Sequence, residues 1–97
     1  MNKIKVIVKH TFLEPMVCEV ENTLPELQMI VGGNIEVYNV MPDMVVICNE
    51  MGRMYGLPLN TQIGGENFVG TVVIAGIDGE DFADVPDYMI KMYCERS

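Results

Sequence analysis

Tryptophan is missing from this chain, histidine and serine occur once each, and six basic residues face fourteen acidic ones. Each scarcity removes a class of function. The one serine is Ser97, the last residue, so no internal Ser/His/Asp arrangement can be assembled. His10 has no neighbouring Cys, Ser or second His in the sequence and reads as a connection residue. The three cysteines, Cys18, Cys48 and Cys94, are odd in number, far apart and without C-x-x-C spacing. That argues against a disulfide framework and against a zinc site. The formal charge of −8 repels phosphate backbones and anionic lipid, so neither direct nucleic-acid binding nor a membrane surface is expected. No apolar run reaches membrane-spanning length, and Met1-Asn2-Lys3 leads straight into alternating residues rather than a secretory leader. The expected compartment is cytoplasmic. No phosphate loop, dinucleotide fingerprint or H-E-x-x-H motif is present, so no cofactor is expected.

What the chain does have is a core's worth of apolar residues: 49% of its 97 positions, nine of them methionine. That length suits a single domain over residues 1–97, and its small size keeps a homodimer open. Met is an adaptable core filler and is also favoured at plastic binding surfaces.

The pattern is organised around Val45–Asn60. Val45 to Cys48 is apolar at every position, as a strand buried on both faces would be. Asn49-Glu50-Met51-Gly52 fits a tight turn, with Gly52 available for positive φ. Arg53-Met54-Tyr55 is read as a short returning strand, ended by Gly56-Leu57-Pro58-Leu59-Asn60 because Pro58 cannot donate to a ladder.

Before this centre, Lys3–His10 alternates, with Ile4, Val6 and Val8 inward and Lys3, Lys5, Ile7 and Lys9 outward. Pro15–Glu21 answers it with Met16, Cys18 and Val20 inward and Glu19 and Glu21 outward, so cross-strand Lys–Glu pairs account for the basic stripe. Thr23-Leu24-Pro25-Glu26 carries a helix start and Gly32-Gly33 its stop. Ile35–Val40 is a third strand, joined through Met41-Pro42-Asp43 to the centre as a hairpin. After it, Thr61–Asn67 is polar and glycine-rich and is expected to be a mobile loop. Phe68–Ile77 reads as one long central strand with Gly70 at a bulge or close approach. A final helix is expected over about Val85–Cys94, capped by Asp84, with Val85, Met89 and Met92 on its buried stripe. Asp78, Glu80, Asp81, Asp84 and Asp87 crowd its start, but without the spacing of a calcium loop, so no metal is assigned. The predicted fold is α+β, in order β-β-α-β-β-β-β-α, a mainly antiparallel sheet with both short helices packed on one face.

The best polar constellation is Asn49, Glu50, Arg53, Tyr55 and Asn60. These five could line a shallow ligand- or partner-binding pocket in which Arg53 and Tyr55 grip an anionic or planar group. The same residues also have a plain structural account: Asn49 and Glu50 building the turn, Arg53 pairing with Glu50, Asn60 bonding loop backbone.

Ile47-Cys48-Asn49-Glu50, Gly52, Gly56-Leu57-Pro58-Leu59-Asn60 and Gly70-Thr71-Val72-Val73-Ile74 resemble the small family catalogued as domain of unknown function 3846. The opening Ile4–Lys9, Val31-Gly32-Gly33 with Ile35-Glu36, and Asp78–Phe82 extend the likeness in order over nearly the whole chain. Met51 stands where another polar residue would be expected, and Arg53 where lysine is common. The resemblance implies a phage or mobile-element setting and brings no catalytic residues with it. The function expected is therefore non-enzymatic capture of a host protein or a small, nucleotide-like signalling molecule. Two alternatives are an enzyme using Glu50 as general base, with Asn49 or Asn60 orienting a substrate, and a structural module of a larger assembly.

Overall fold

A computed structural model describes residues 2–95; Met1 and Ser97, on which two of the readings above touch, lie outside the described residues. The chain forms β1 (Lys3–Lys9), β2 (Met16–Glu21), α1 (Leu24–Val31), β3 (Ile35–Met41), β4 (Met44–Asn49), β5 (Leu59–Ile63), β6 (Glu66–Val69), β7 (Val72–Asp78), β8 (Asp81–Ala83) and α2 (Asp87–Tyr93). The main sheet runs β2-β1-β7-β4-β3, with β8 continuing beside the end of β7, and every pairing in it is antiparallel. β5 and β6 form a separate two-stranded hairpin. The α+β class and the mainly antiparallel sheet stand as expected.

The two helices do not share a face. Leu27 and Val31 of α1 pack with Ile4, Val6, Val20, Val45, Ile47 and Val73 on one side of the sheet. Met89 of α2 and Val85 pack on the other side with Ile7, Met44, Val46, Val72 and Ile74, together with Ile63 and Phe68 from the hairpin. The reason lies in the central strands. All six residues of β4 and the first five of β7 are buried, and such runs need cover on both faces. β1 behaves likewise, since Ile7 is fully buried although its alternation assigned it outward.

Four further expectations change. Arg53-Met54-Tyr55 is not a strand: bonds from Gly52 N–H to Asn49 O, Tyr55 N–H to Met51 O and Gly56 N–H to Arg53 O coil it into consecutive turns. Gly52 stays out of the positive-φ region, and its role is close packing, a Cβ there lying 3.0 Å from Val69. The polar stretch Thr61–Asn67 is the hairpin, turning at Gly64-Gly65, whose φ of 59° and 83° suit a two-residue type I′ connection. The long strand breaks at Gly70 (φ 71°), where a Cβ would stand 2.7 Å from Leu57, which separates β6 from β7. β7 keeps the predicted central place.

The helix ends follow their local chemistry. Thr23 accepts the Glu26 N–H at 3.4 Å at the start of α1, and Gly32 (φ 83°) closes it. Asp84, expected to cap the last helix, instead accepts the Lys5 N–H at 2.8 Å, while Val85 N–H bonds Lys5 O. Asp84 is thus held at the sheet edge, the N-cap position passes to Pro86, and Met92 is left exposed. No helix among the described residues is long and apolar enough to cross a membrane.

Candidate functional site

β4 delivers Asn49, buried, to the rim of the core. Its Oδ1 accepts the Met51 N–H at 2.8 Å, an Asx-type bond that starts the turn. Its Nδ2 donates to the Val31 carbonyl at 3.3 Å, tying the turn to the last residue of α1. Glu50, exposed, is fixed through its backbone, whose N–H bonds Asn34 O at 2.8 Å. Arg53 crosses to the hairpin and donates from Nη2 to the Asn67 carbonyl at 2.6 Å.

These three residues surround one hollow of about 60 Å³, whose other walls are Glu36, Tyr38, Cys48, Asn67, Phe68 and Val69. Tyr55 and Asn60 are not part of its lining. Tyr55 stands on the turn, 68% exposed beside Met54 at 76%. Asn60 lies in β5 and fastens the hairpin to the sheet, with Nδ2 donating to Lys9 O (2.8 Å) and Gly70 O (2.7 Å) and Oδ1 accepting from Lys9 Nζ (2.9 Å). His10, nearby in the connection, meets Thr71 Oγ1 at 3.1 Å. Lys3 and Lys5 stand opposite Glu21 and Glu19 in the β1–β2 register.

Glu36, Tyr38, Asn67 and Phe68 were missing from the sequence-based site. Tyr38 and Phe68, both in its lining, meet edge-to-face at 5.3 Å. One signal could have found the hairpin half: Gly64-Gly65 between the inward residues Ile63 and Phe68 is a two-residue hairpin pattern.

The electrostatics of the hollow disfavour thiol chemistry. Burial, reinforced by Glu36 and only partly opposed by Arg53, pushes the Cys48 thiol up to about 11. Burial and Glu36 likewise raise the Tyr38 phenol. The thiol and the phenol are both neutral near pH 7, and the hollow presents them beside the side chains of Asn49, Asn67, Glu36 and Glu50 and one committed guanidinium. A volume of about 60 Å³ admits a small ion or a water or two, well below the roughly 300 Å³ at which drug-sized ligand sites begin. No cluster of metal-ligating side chains occurs among the described residues.

A larger depression, about 360 Å³ and more open, lies between β1–β2 and α1. Its lining is mainly apolar, including Val8, Met16, Cys18, Val20, Met29 and Ile30, with Glu26 and His10 also at its walls. Desolvation raises the Cys18 thiol, so this surface also lacks a ready nucleophile.

Fold and site together define a small antiparallel α+β domain with one tight polar hollow and one open apolar groove. The chain belongs to the family of the domain of unknown function DUF3846, whose model matches residues 4–97. No curated protein and no solved structure matches it.

Proposed function

We propose that this chain is a binding protein of a phage or mobile element that captures a host protein through the turn after β4. The observation that carries the reading is the display of Met54 and Tyr55, 76% and 68% exposed, beside an Arg53 already anchored to the Asn67 carbonyl. Arg, Tyr and Met are the residue types enriched where proteins meet, and an anchored Arg loses little freedom on binding. Exposed Leu59 adds apolar area at the exit of the same turn. Size supports a protein over a small signalling molecule, since the neighbouring hollow is several times smaller than a nucleotide-like ligand needs. In this reading Asn49 and Asn60 hold the surface in shape, while Glu50, Arg53 and Tyr55 present themselves to the partner.

The test is affinity capture from host-cell lysate with the unaltered chain and an Arg53→Ala, Tyr55→Ala double variant. Loss of two hot-spot side chains is expected to weaken capture by about thirtyfold or more. Undiminished capture contradicts the reading.

The enzymatic alternative rests on Glu50, exposed and part of the hollow's lining. It predicts that Glu50→Gln abolishes conversion of a lysate component while the fold persists. Capture predicts no component consumed, with or without the substitution.

A further inference from the structure

The opposite edge of the sheet offers a surface independent of the turn after β4. Among the described residues, β2 has β1 on one side and no strand on the other. The Asn22 N–H bonds the Asn2 carbonyl at 2.8 Å, which sets the phase of the ladder. With Ile4 opposite Val20, Val6 opposite Cys18 and Val8 opposite Met16, those are the hydrogen-bonded pairs. Ile7–Val17 and Lys5–Glu19 are the alternating pairs that are not. The N–H and C=O groups of Val17 and Glu19 therefore point outward, away from β1. Lys5 bears this out from the other strand, since its N–H and C=O bond Asp84 and Val85 rather than β2.

The two faces of this edge differ in chemistry. Met16, Cys18 and Val20 face the groove of about 360 Å³ whose far wall is Met29 and Ile30 of α1. Val17, Glu19 and Glu21 face the other way, where Lys5 and Lys3 stand on the far side of β2 from any newcomer. On the groove face Met16 and Met29 are 49% and 74% exposed, and on the other face Val17 is 42% exposed, so apolar side chains flank the open ladder on both sides. The opposite edge of the sheet differs: β3 carries a bulge between Asn39 and Met41, a feature that breaks regular pairing. The β1–β2 connection places Phe12 at φ 68°, a strained region for an aromatic residue, and leaves it 86% exposed.

We infer that β2 is a strand-addition site for an extended segment of another protein in which apolar residues alternate with lysine or arginine. A strand laid along Val17 and Glu19 completes the outward hydrogen bonds. Its apolar residues, at every second position, enter the groove beside Met16 and Met29, and its basic residues reach Glu19 and Glu21. Charge selects this occupant over a second copy of the chain, because each copy carries a net charge of −8.

The experiment uses the full chain and two fluorescein-labelled peptides of about eight residues, one alternating leucine with lysine and one alternating leucine with glutamate. Anisotropy titrations are run with the unaltered chain and with Val17→Pro, which removes an outward N–H and leaves charge and the β1 bonds in place. Amide exchange locates the contact. The basic peptide is expected to bind at least about tenfold tighter than the acidic one, and about tenfold tighter to the unaltered chain than to Val17→Pro. The Val17 and Glu19 amides are expected to exchange about tenfold more slowly with it bound. Equal binding by Val17→Pro overturns the proposal in favour of diffuse charge attraction. So does equal binding of both peptides, absence of binding, or a free chain that is already a dimer with those amides protected. None of these outcomes bears on capture through Arg53 and Tyr55, which the double variant tests separately.

Discussion

Gly33 and Asn49 meet across the top of the sheet so closely that a Cβ on Gly33 would stand 2.9 Å from Asn49 Nδ2. The glycine that follows the end of α1 thus makes room for the amide that fastens α1 to the turn after β4. Asn49→Ala leaves the Val31 carbonyl and the Met51 N–H without their partner, a loss of about 2 kcal/mol. Gly33→Ala forces the amide aside at about 1 kcal/mol. The two are coupled: urea unfolding is expected to find Gly33→Ala less costly in the Asn49→Ala background than alone.

The sequence offers Asn60 either as a binding residue or as a bond to loop backbone, and each polar atom of its side chain serves the fold. Asn60→Ala is expected to lower stability by about 2–3 kcal/mol, because the carbonyls of Lys9 and Gly70 lose their donor. Amide exchange should speed first in the β5–β6 hairpin, which this side chain ties to the sheet. Uniform loss of protection across both sheets contradicts that role.

Gly70→Ala puts a methyl group 2.7 Å from Leu57 at a φ of 71°, so packing and backbone both resist it. A cost of about 2 kcal/mol or more is expected in thermal or urea unfolding. Gly56→Ala is the control, since its φ is also positive but, among the described residues, nothing beyond its chain neighbours lies within 4 Å of the added carbon. It should cost about 1 kcal/mol.

Cys48 gives a pH-dependent prediction. Burial favours its protonated form in the folded chain and raises the thiol from 9.0 to about 11. Stability from this group is therefore complete below pH 9 and is lost as pH rises through 11. Cys48→Ala should flatten that decline. At pH 8 the folded thiol carries about a hundredfold less thiolate than an ordinary one, so alkylation of Cys48 should be slower than in urea by at least that factor.

Much of the fold was legible in local chemistry. Thr23, Pro25 and Gly32 announced α1 because capping is settled within a few residues. Pro42-Asp43 marked the β3–β4 hairpin. Its register was hidden, however: Met41 faces Met44, but past the bulge Asn39 faces Val45 and Tyr38 faces Val46. A simple two-residue hairpin would set Tyr38 opposite Ile47, on the α1 side of the sheet. The one-residue shift turns Tyr38 to the other side, against Phe68, and thereby builds the hollow. The placement of α2 was closer to legible, since Val45 to Cys48 had already been read as buried on both faces. Two covered faces are incompatible with both helices on one. Which residues share the hollow was legible only where they are close in sequence: Asn49, Glu50 and Arg53 are neighbours along the chain, whereas Glu36 and Asn67 reach the same hollow only through strand register and the hairpin.

Native mass spectrometry of the chain purified gently from host-cell lysate tests partner capture most directly. The account predicts a complex whose added mass is that of an intact protein, lost in the Arg53→Ala, Tyr55→Ala variant. An added mass of only a few hundred daltons, or a bare chain throughout, contradicts it.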